Sequence, residues 1–497
     1  MKLIAGICVM MTCASAAALR IRVTDEAGRP AWTRLEVRGP DGRMYQAAGA
    51  IVDKTARNRP GGLPYYLDSF VVHGECRLEV PAGRYAVIAE HGPEYGRAEM
   101  AISVPEQNSV NLRMEPWIRM RERGWYSGDM HVHRPPEDAP ALSLAEDLNV
   151  SIVTTMWNRR NLWAGKPYPR DNVVEASPRN LVTILNAEDE RGGGAWMMHA
   201  LPRPLKNLAV EGRWFPPGID FVREARAMKP RDGLLPWFDC EKPFWREVPV
   251  MVALATPDSM GVLHNHFNQY GVHAAEAWGR PRDQKKFPGD AGFVEFSLGL
   301  YYRYLNLGFK MPPSAGSASG VLPGPVGYSR MYARVKGPFS LGSWYAAVRH
   351  GDVFVTNGPM LFLEKSGASA ISVEVVAREP IDRVELVANG SVIHTFPGAG
   401  DKKKFQGQFT FDPNRHSWIA ARAFVKADNT IRLAHSAPIY LPGKIDASED
   451  ARYFVEWIDE LVAESDKDPK RFSAATEREA ILLLYRQAKA VYEAKRR

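Results

Sequence analysis

Four short apolar runs constrain this chain more than anything else in it: Ile152-Val153-Thr154-Thr155, Leu181-Val182-Thr183-Ile184-Leu185, Val250-Met251-Val252-Ala253-Leu254 and Gly261-Val262-Leu263. Runs of this length without a polar face are how strands read when a sheet is covered on both sides. Helical stretches lie between several of them, residues 141–148 for example. Three runs are followed by a residue able to bind a ligand: Asn158 after the first, Glu188 after the second and His264 after the last. The pattern predicts an α/β barrel over residues 117–362 whose active face is built from the carboxyl ends of the strands.

At 497 residues the chain exceeds one ordinary core, and its flanks read differently from its centre. Residues 19–116 alternate, as in Arg20-Ile21-Arg22-Val23 and Arg34-Leu35-Glu36-Val37, and predict a small β-sandwich. The turns Asp25-Glu26-Ala27-Gly28-Arg29-Pro30-Ala31 and Pro81-Ala82-Gly83-Arg84-Tyr85 resemble those of carboxypeptidase-regulatory-like domains, accessory modules without catalysis. Residues 312–327 are rich in Pro, Gly and Ser and predict a loop near the active face. Residues 371–443 return to alternation around an Asn389-Gly390 hairpin turn, a second β module. In residues 447–497, Tyr453, Phe454, Trp457, Ile458 and Leu461 fall on one helical face, which reads as a clamp on the body, with a peripheral tail as the alternative. The fold class is thus a multidomain α/β plus all-β chain.

A hydrophobic share of 45% and a charged share of 24% are those of a globular protein. The net charge of +7 is spread out, and its one tight run, Lys402-Lys403-Lys404, has no aromatic residues interleaved. A nucleic-acid partner is therefore not expected. Lys2, the apolar residues 3–12 and Ala14-Ser15-Ala16-Ala17-Ala18 read as a secretory signal over residues 1–18. The mature protein is expected to be secreted or periplasmic, without a membrane span, with Cys76 and Cys240 as unpaired thiols.

The chemistry concentrates in Gly128-Asp129-Met130-His131-Val132-His133. Imidazoles at i and i+2 lie on one face of a strand and can grip one ion, and Arg134-Pro135-Pro136 ends the strand at once. Further candidate ligands are Glu188, His199 and a second pair, His264 and His266. A catalytic site needs about three protein ligands and an open position, and a two-metal site needs a bridging carboxylate, for which Glu188 is placed, with Asp189 and Glu190 beside it. Imidazole and carboxylate ligands suit zinc or manganese. Asp129 is expected to orient His131 or His133. Arg134 and Arg159 are candidates for an anionic substrate group, and Trp157 for a pocket wall. His273, His350, His394, His416 and His435 lack a partner at ligand spacing and read as structural.

The opening motif resembles that of the CehA/McbA metallohydrolases, relatives of carbaryl hydrolase in the PHP superfamily. The resemblance extends through Tyr301-Tyr302-Arg303-Tyr304-Leu305-Asn306-Leu307-Gly308-Phe309, Gly351-Asp352-Val353-Phe354-Val355-Thr356-Asn357-Gly358-Pro359, Trp418-Ile419-Ala420-Ala421-Arg422 and Ala434-His435-Ser436-Ala437-Pro438. It implies a distorted seven-stranded β/α barrel, up to three divalent metals, and hydrolysis of esters, carbamates or phosphoesters. By the same resemblance His131 and His133 are the first metal pair, Glu188 the bridge, His199 a ligand of the second metal, and His264 or His266 the next.

Two positions depart from the family pattern. Met156-Trp157 stands where an Asp-His pair belongs, and Gly316-Ser317-Ala318-Ser319-Gly320 where Gly-Ser-Asp-x-His belongs. The departures predict a reduced site of one or two ions, in which the metal would supply a hydroxide nucleophile and polarise a small-molecule or glycan-related substrate. The alternative is a non-catalytic barrel that binds a carbohydrate or other ligand.

Overall fold

The computed structural model describes residues 17–52, 69–158, 160–206, 208, 214–231, 233–276, 278–322, 324–467 and 471–496. The expected leader lies outside these residues except for Ala17 and Ala18, which open the strand Ala17–Thr24. In that strand Leu19, Ile21 and Val23 point inward while Arg20 and Arg22 are exposed, the alternation of a sheet with one wet face. It pairs with Glu75–Val80 and Ser109–Arg113. A five-stranded antiparallel sheet shares one core with it, in which Leu35, Val37 and Val87 meet Leu19 and Ile21.

The centre of the molecule is a 16-stranded sheet. From one edge its path runs Pro313–Ala315, Ser259–Leu263, Trp237–Cys240, Gly194–His199, Asn180–Arg191, Val150–Trp157 and Trp125–Val132. Pairing along this part is mostly parallel, with the Gly194–His199 strand antiparallel to both neighbours. The sheet as hydrogen-bonded is open, not the closed barrel that the strand and helix order predicts. What joins its ends is one parallel bridge between Val132 and Ser319. Ala318 N–H donates to the His131 carbonyl at 2.7 Å, and His133 N–H to the Ser319 carbonyl at 2.8 Å. The last strand of this set is only three residues long, so a glycine-rich turn, and no full ladder, meets the first strand.

The sheet also runs on past the first strand, through Arg330–Arg334, Val353–Thr356 and Arg432–Ser436 to Trp418–Val425 and Ile381–Ala388. The alternating strands of residues 371–443 thus continue the central sheet and pack a three-stranded sheet, Met360–Lys365, Ala370–Val376 and Lys404–Thr410, over it. Asn389 and Gly390 both adopt positive φ, 51° and 85°, as a tight hairpin turn requires.

One apolar run changes class. Val250 to Leu254 lies in the helix Val248–Ala255, with Pro249 in its first turn. A continuous apolar run has no period with which to separate a buried helix from a buried strand. The helices Ser448–Lys467 and Ala475–Ala494 close the chain. Phe454, Trp457, Ile458 and Leu461 are buried in the central core, Phe454 stacks on Tyr304 with centroids 4.3 Å apart, and the Tyr492 hydroxyl donates to the Pro249 carbonyl at 2.8 Å. Cys76 and Cys240 are free thiols. Among the described residues no helix is long and apolar enough to cross a membrane.

Candidate metal centre

Period-two alternation in Trp125–Val132 puts Asp129 and His131 on the same face, and His133 follows on it. His131 Nε2 faces His133 Nε2 at 2.7 Å. Glu188 reaches the same spot from the Asn180–Arg191 strand, where its backbone is held between Trp157 and Met197. Its Oε2 lies 3.3 Å from His131 Nε2 and 3.0 Å from His133 Nε2. One donor atom from each of these three residues falls within 4.8 Å of the others. Two imidazole nitrogens and a carboxylate oxygen that converge in this way ask for a cation between them.

The orientation of His131 comes from a residue that sequence reasoning missed. Its Nδ1 lies 3.1 Å from Glu241 Oε1, which leaves Nε2 free to point at the centre. Glu241 sits just past the short strand Trp237–Cys240. It pairs with the buried Lys242 ammonium and accepts from Trp245 Nε1 at 3.4 Å. An acid at a strand end was the available signal, as it was for Glu188, but a four-residue strand gives little periodicity to mark that end. Substituting Glu241→Gln is expected to weaken metal binding by roughly 10–100-fold with the fold retained, as loss of a partner behind a ligand does; competition against a metal-chelating dye checks it.

Electrostatics follow the same convergence. Burial favours neutral imidazole, but the Glu188 and Glu241 charges overcome it and raise His131 well above the ordinary histidine value. At His133 burial prevails and the value falls. Burial would raise the Glu188 carboxyl, yet the two histidines pull it down to about 2. Glu188 is therefore held as the anion that a cation site needs.

Asp129 does not touch either imidazole. Its Oδ1 accepts from the backbone N–H of His131 and of Ser317, each at 3.0 Å, and its Oδ2 from Ser317 Oγ at 2.5 Å and Gly327 N–H at 2.7 Å. The carboxylate is the floor that ties the His131 strand to the 316–327 turn, so its orienting role acts on the backbone. That turn fits too closely for side chains at two points. A Cβ at Gly316 would stand 2.5 Å from His131 Cβ, and one at Gly320, where φ is +108°, 2.7 Å from the His133 carbonyl group. A histidine at 320 has no room in this arrangement. Gly316→Ala is expected to push His131 aside and cost about 10–100-fold in metal affinity, measured by the same dye competition, although residue 316 is not a ligand.

The other predicted residues divide. His199 is fully buried, and neither ring nitrogen has a hydrogen-bond partner among the described residues. Burial, and then the His131 charge, lower it to about 3, so it remains a neutral ring in reach of the field of His131 and Glu188. His264 and His266 do not join the three-residue cluster. His264 Nε2 meets Ser297 Oγ at 3.2 Å, and His266 stacks on Phe293 with centroids 5.9 Å apart. Both follow the strand Ser259–Leu263 in a turn, where their rings pack into an aromatic cluster with Phe244, and burial holds both far below the ordinary value. The ring of Trp157 lies 4.6 Å from that of His133, and its Nε1 donates to Glu190 Oε2 at 2.9 Å. Burial and the Glu188 charge push the Glu190 carboxyl up to about 7. Asp189 is paired with Arg191 at 2.6 Å. Arg134 is buried and donates to Ser319 Oγ at 2.9 Å, which commits it to the same turn as Asp129. Arg159 lies outside the described residues.

No family model matches the chain, and no curated protein does. Among solved structures it is similar to a two-domain protein from Bacteroides vulgatus ATCC 8482 described as containing a predicted PHP-like metal-dependent phosphoesterase. The TM-score is 0.32 and the identity 10%, over 64% of this chain and 95% of that one. At that depth of likeness neither fold nor activity passes from one protein to the other.

Proposed function

We propose that this protein is a metal-dependent hydrolase of a small ester, carbamate or phosphoester, with one divalent cation, zinc or manganese, at His131, His133 and Glu188. The observation that carries the reading is the meeting of their three donor atoms within 4.8 Å, backed by Glu241 on the far nitrogen of His131. The donor set suits the ion: two imidazoles and an ionised carboxylate are a common zinc combination that leaves a position open. His199 is the candidate fourth ligand, since its two buried nitrogens have no partner among the described residues. The bridge at Val132 and Ser319 supports reading the open sheet as a distorted barrel of the PHP type.

When bound, such a cation polarises a substrate oxygen and acidifies a water. The chain does the rest. His131 and His133 would hold the ion at the end of one strand, and Glu188 would balance its charge from the next strand but one in the sheet. Glu241 keeps the proton of His131 on Nδ1. Trp157 covers the ring of His133 and excludes water from that side. A non-catalytic ligand-binding protein is the second reading, favoured by one observation: His264 and His266, the other ligand pair, are turned into an aromatic cluster.

Turnover of chromogenic esters, carbamates and phosphoesters by the purified full chain separates the two readings. A hydrolase loses its activity on chelation and regains it with zinc or manganese. Metal bound without turnover of any class favours the binding protein.

A further inference from the structure

A second site lies away from the metal centre, where the N-terminal sandwich, the central sheet and the last β strands meet. There a cavity of about 80 Å³ is lined by Arg34, Arg330, Arg378 and Arg432. That is well above the roughly 10–15 Å³ that a single water requires. Three lining carboxylates, Glu90, Glu146 and Glu379, answer the four guanidinium groups. Arg34 pairs with Glu90 at 2.8 Å and Glu146 at 2.5 Å. Glu379 takes both Arg378, at 2.9 Å, and Arg432, at 2.6 Å.

Arg330 is left over. It is 1% exposed, and it donates to backbone carbonyls, from Nε to Gly327 at 2.5 Å and from Nη2 to Glu146 at 3.1 Å. Its Nη1, and the buried Nε of Arg432, have no hydrogen-bond partner among the described residues. Two carboxyls feel the charge of Arg330, Glu146 and Glu94; Glu146 is bonded to Arg34, and Glu94 spends its oxygens on Met120 N–H and the Tyr332 hydroxyl. Burial raises the Glu146 carboxyl above its ordinary value against the pull of Arg34. A buried guanidinium with an unused N–H is costly unless an acceptor reaches it, and guanidinium groups match tetrahedral oxyanions by paired hydrogen bonds.

We infer that this cavity binds a small tetrahedral oxyanion, free phosphate or sulfate, on Arg330 and Arg432. The site is independent of the metal centre and stands whether or not the chain is a hydrolase. Calorimetric titration of the full chain carrying His131→Ala and His133→Ala tests it, because phosphate then has no metal to bind. Phosphate and sulfate are expected to bind one per chain, against a chloride control of equal ionic strength. Arg330→Gln is expected to weaken binding by roughly tenfold or more. Arg432→Gln, which leaves the bonds of Arg330 to Gly327 and Glu146 intact, is expected to act in the same direction and keeps the test open if the first variant does not fold. Glu379→Gln removes a competing carboxylate and is expected to tighten binding, a sign that a purely structural arginine cluster would not produce. No binding above chloride, or equal affinity in all variants, overturns the inference.

Discussion

Replacing His131 and His133 together by alanine is expected to lower turnover by roughly 10³-fold or more, since a catalytic cation supplies several kcal/mol at the transition state and each 1.36 kcal/mol is tenfold. Both donor nitrogens leave the centre, and Glu188, even with His199 beside it, cannot hold an ion against water. The fold should survive. His131 makes its backbone bonds through N–H to Asp129 and carbonyl to Ala318, and alanine keeps both. Circular dichroism and the thermal midpoint should therefore stay close to those of the parent protein while hydrolysis disappears. Equal activity in the double variant would place the chemistry elsewhere.

Asp129→Ala is expected to have the largest effect on stability. The substitution strips the acceptor from three backbone N–H groups, those of His131, Ser317 and Gly327, and from the Ser317 hydroxyl. Each buried donor left unpaired costs about 1–3 kcal/mol, so the three amides alone total about 3 kcal/mol or more. For a unit of this size that is a fall of roughly 6–12 °C in the unfolding midpoint. Metal binding should fall with it, because the floor beneath His131 is gone. A differential scanning calorimetry trace with an unshifted transition would show that the four bonds to Asp129 are dispensable.

The contrast between these two residues shows what the sequence could carry. An i, i+2 spacing fixes a shared face, and that was enough to bring His131 and His133 together. The same spacing in His264 and His266 falls in a turn after the strand Ser259–Leu263, where it fixes no common face, and their rings meet Phe244 and Phe293 instead. Asp129 was legible as a partner of the histidines, while its engagement of backbone amides depends on a turn almost two hundred residues away in sequence, Gly316 to Gly327. Glu241 was missed because its strand is four residues long.

The same limits apply to the fold. The alternation of Ala17–Thr24 was plain, since one face is wet. The helix Val248–Ala255 was read as a strand because it is apolar all round. That Ile381–Ala388 and Trp418–Val425 extend the central sheet is a matter of non-local pairing, which alternation marks as possible without naming the neighbour.

Metal content per chain tests the central claim most directly. The full-length protein, loaded with zinc or manganese and freed of excess, is expected to hold one ion per chain by elemental analysis, and the His131→Ala, His133→Ala variant none. An undiminished ion in that variant, or no ion in the parent, would contradict the assignment of His131, His133 and Glu188 as the metal centre.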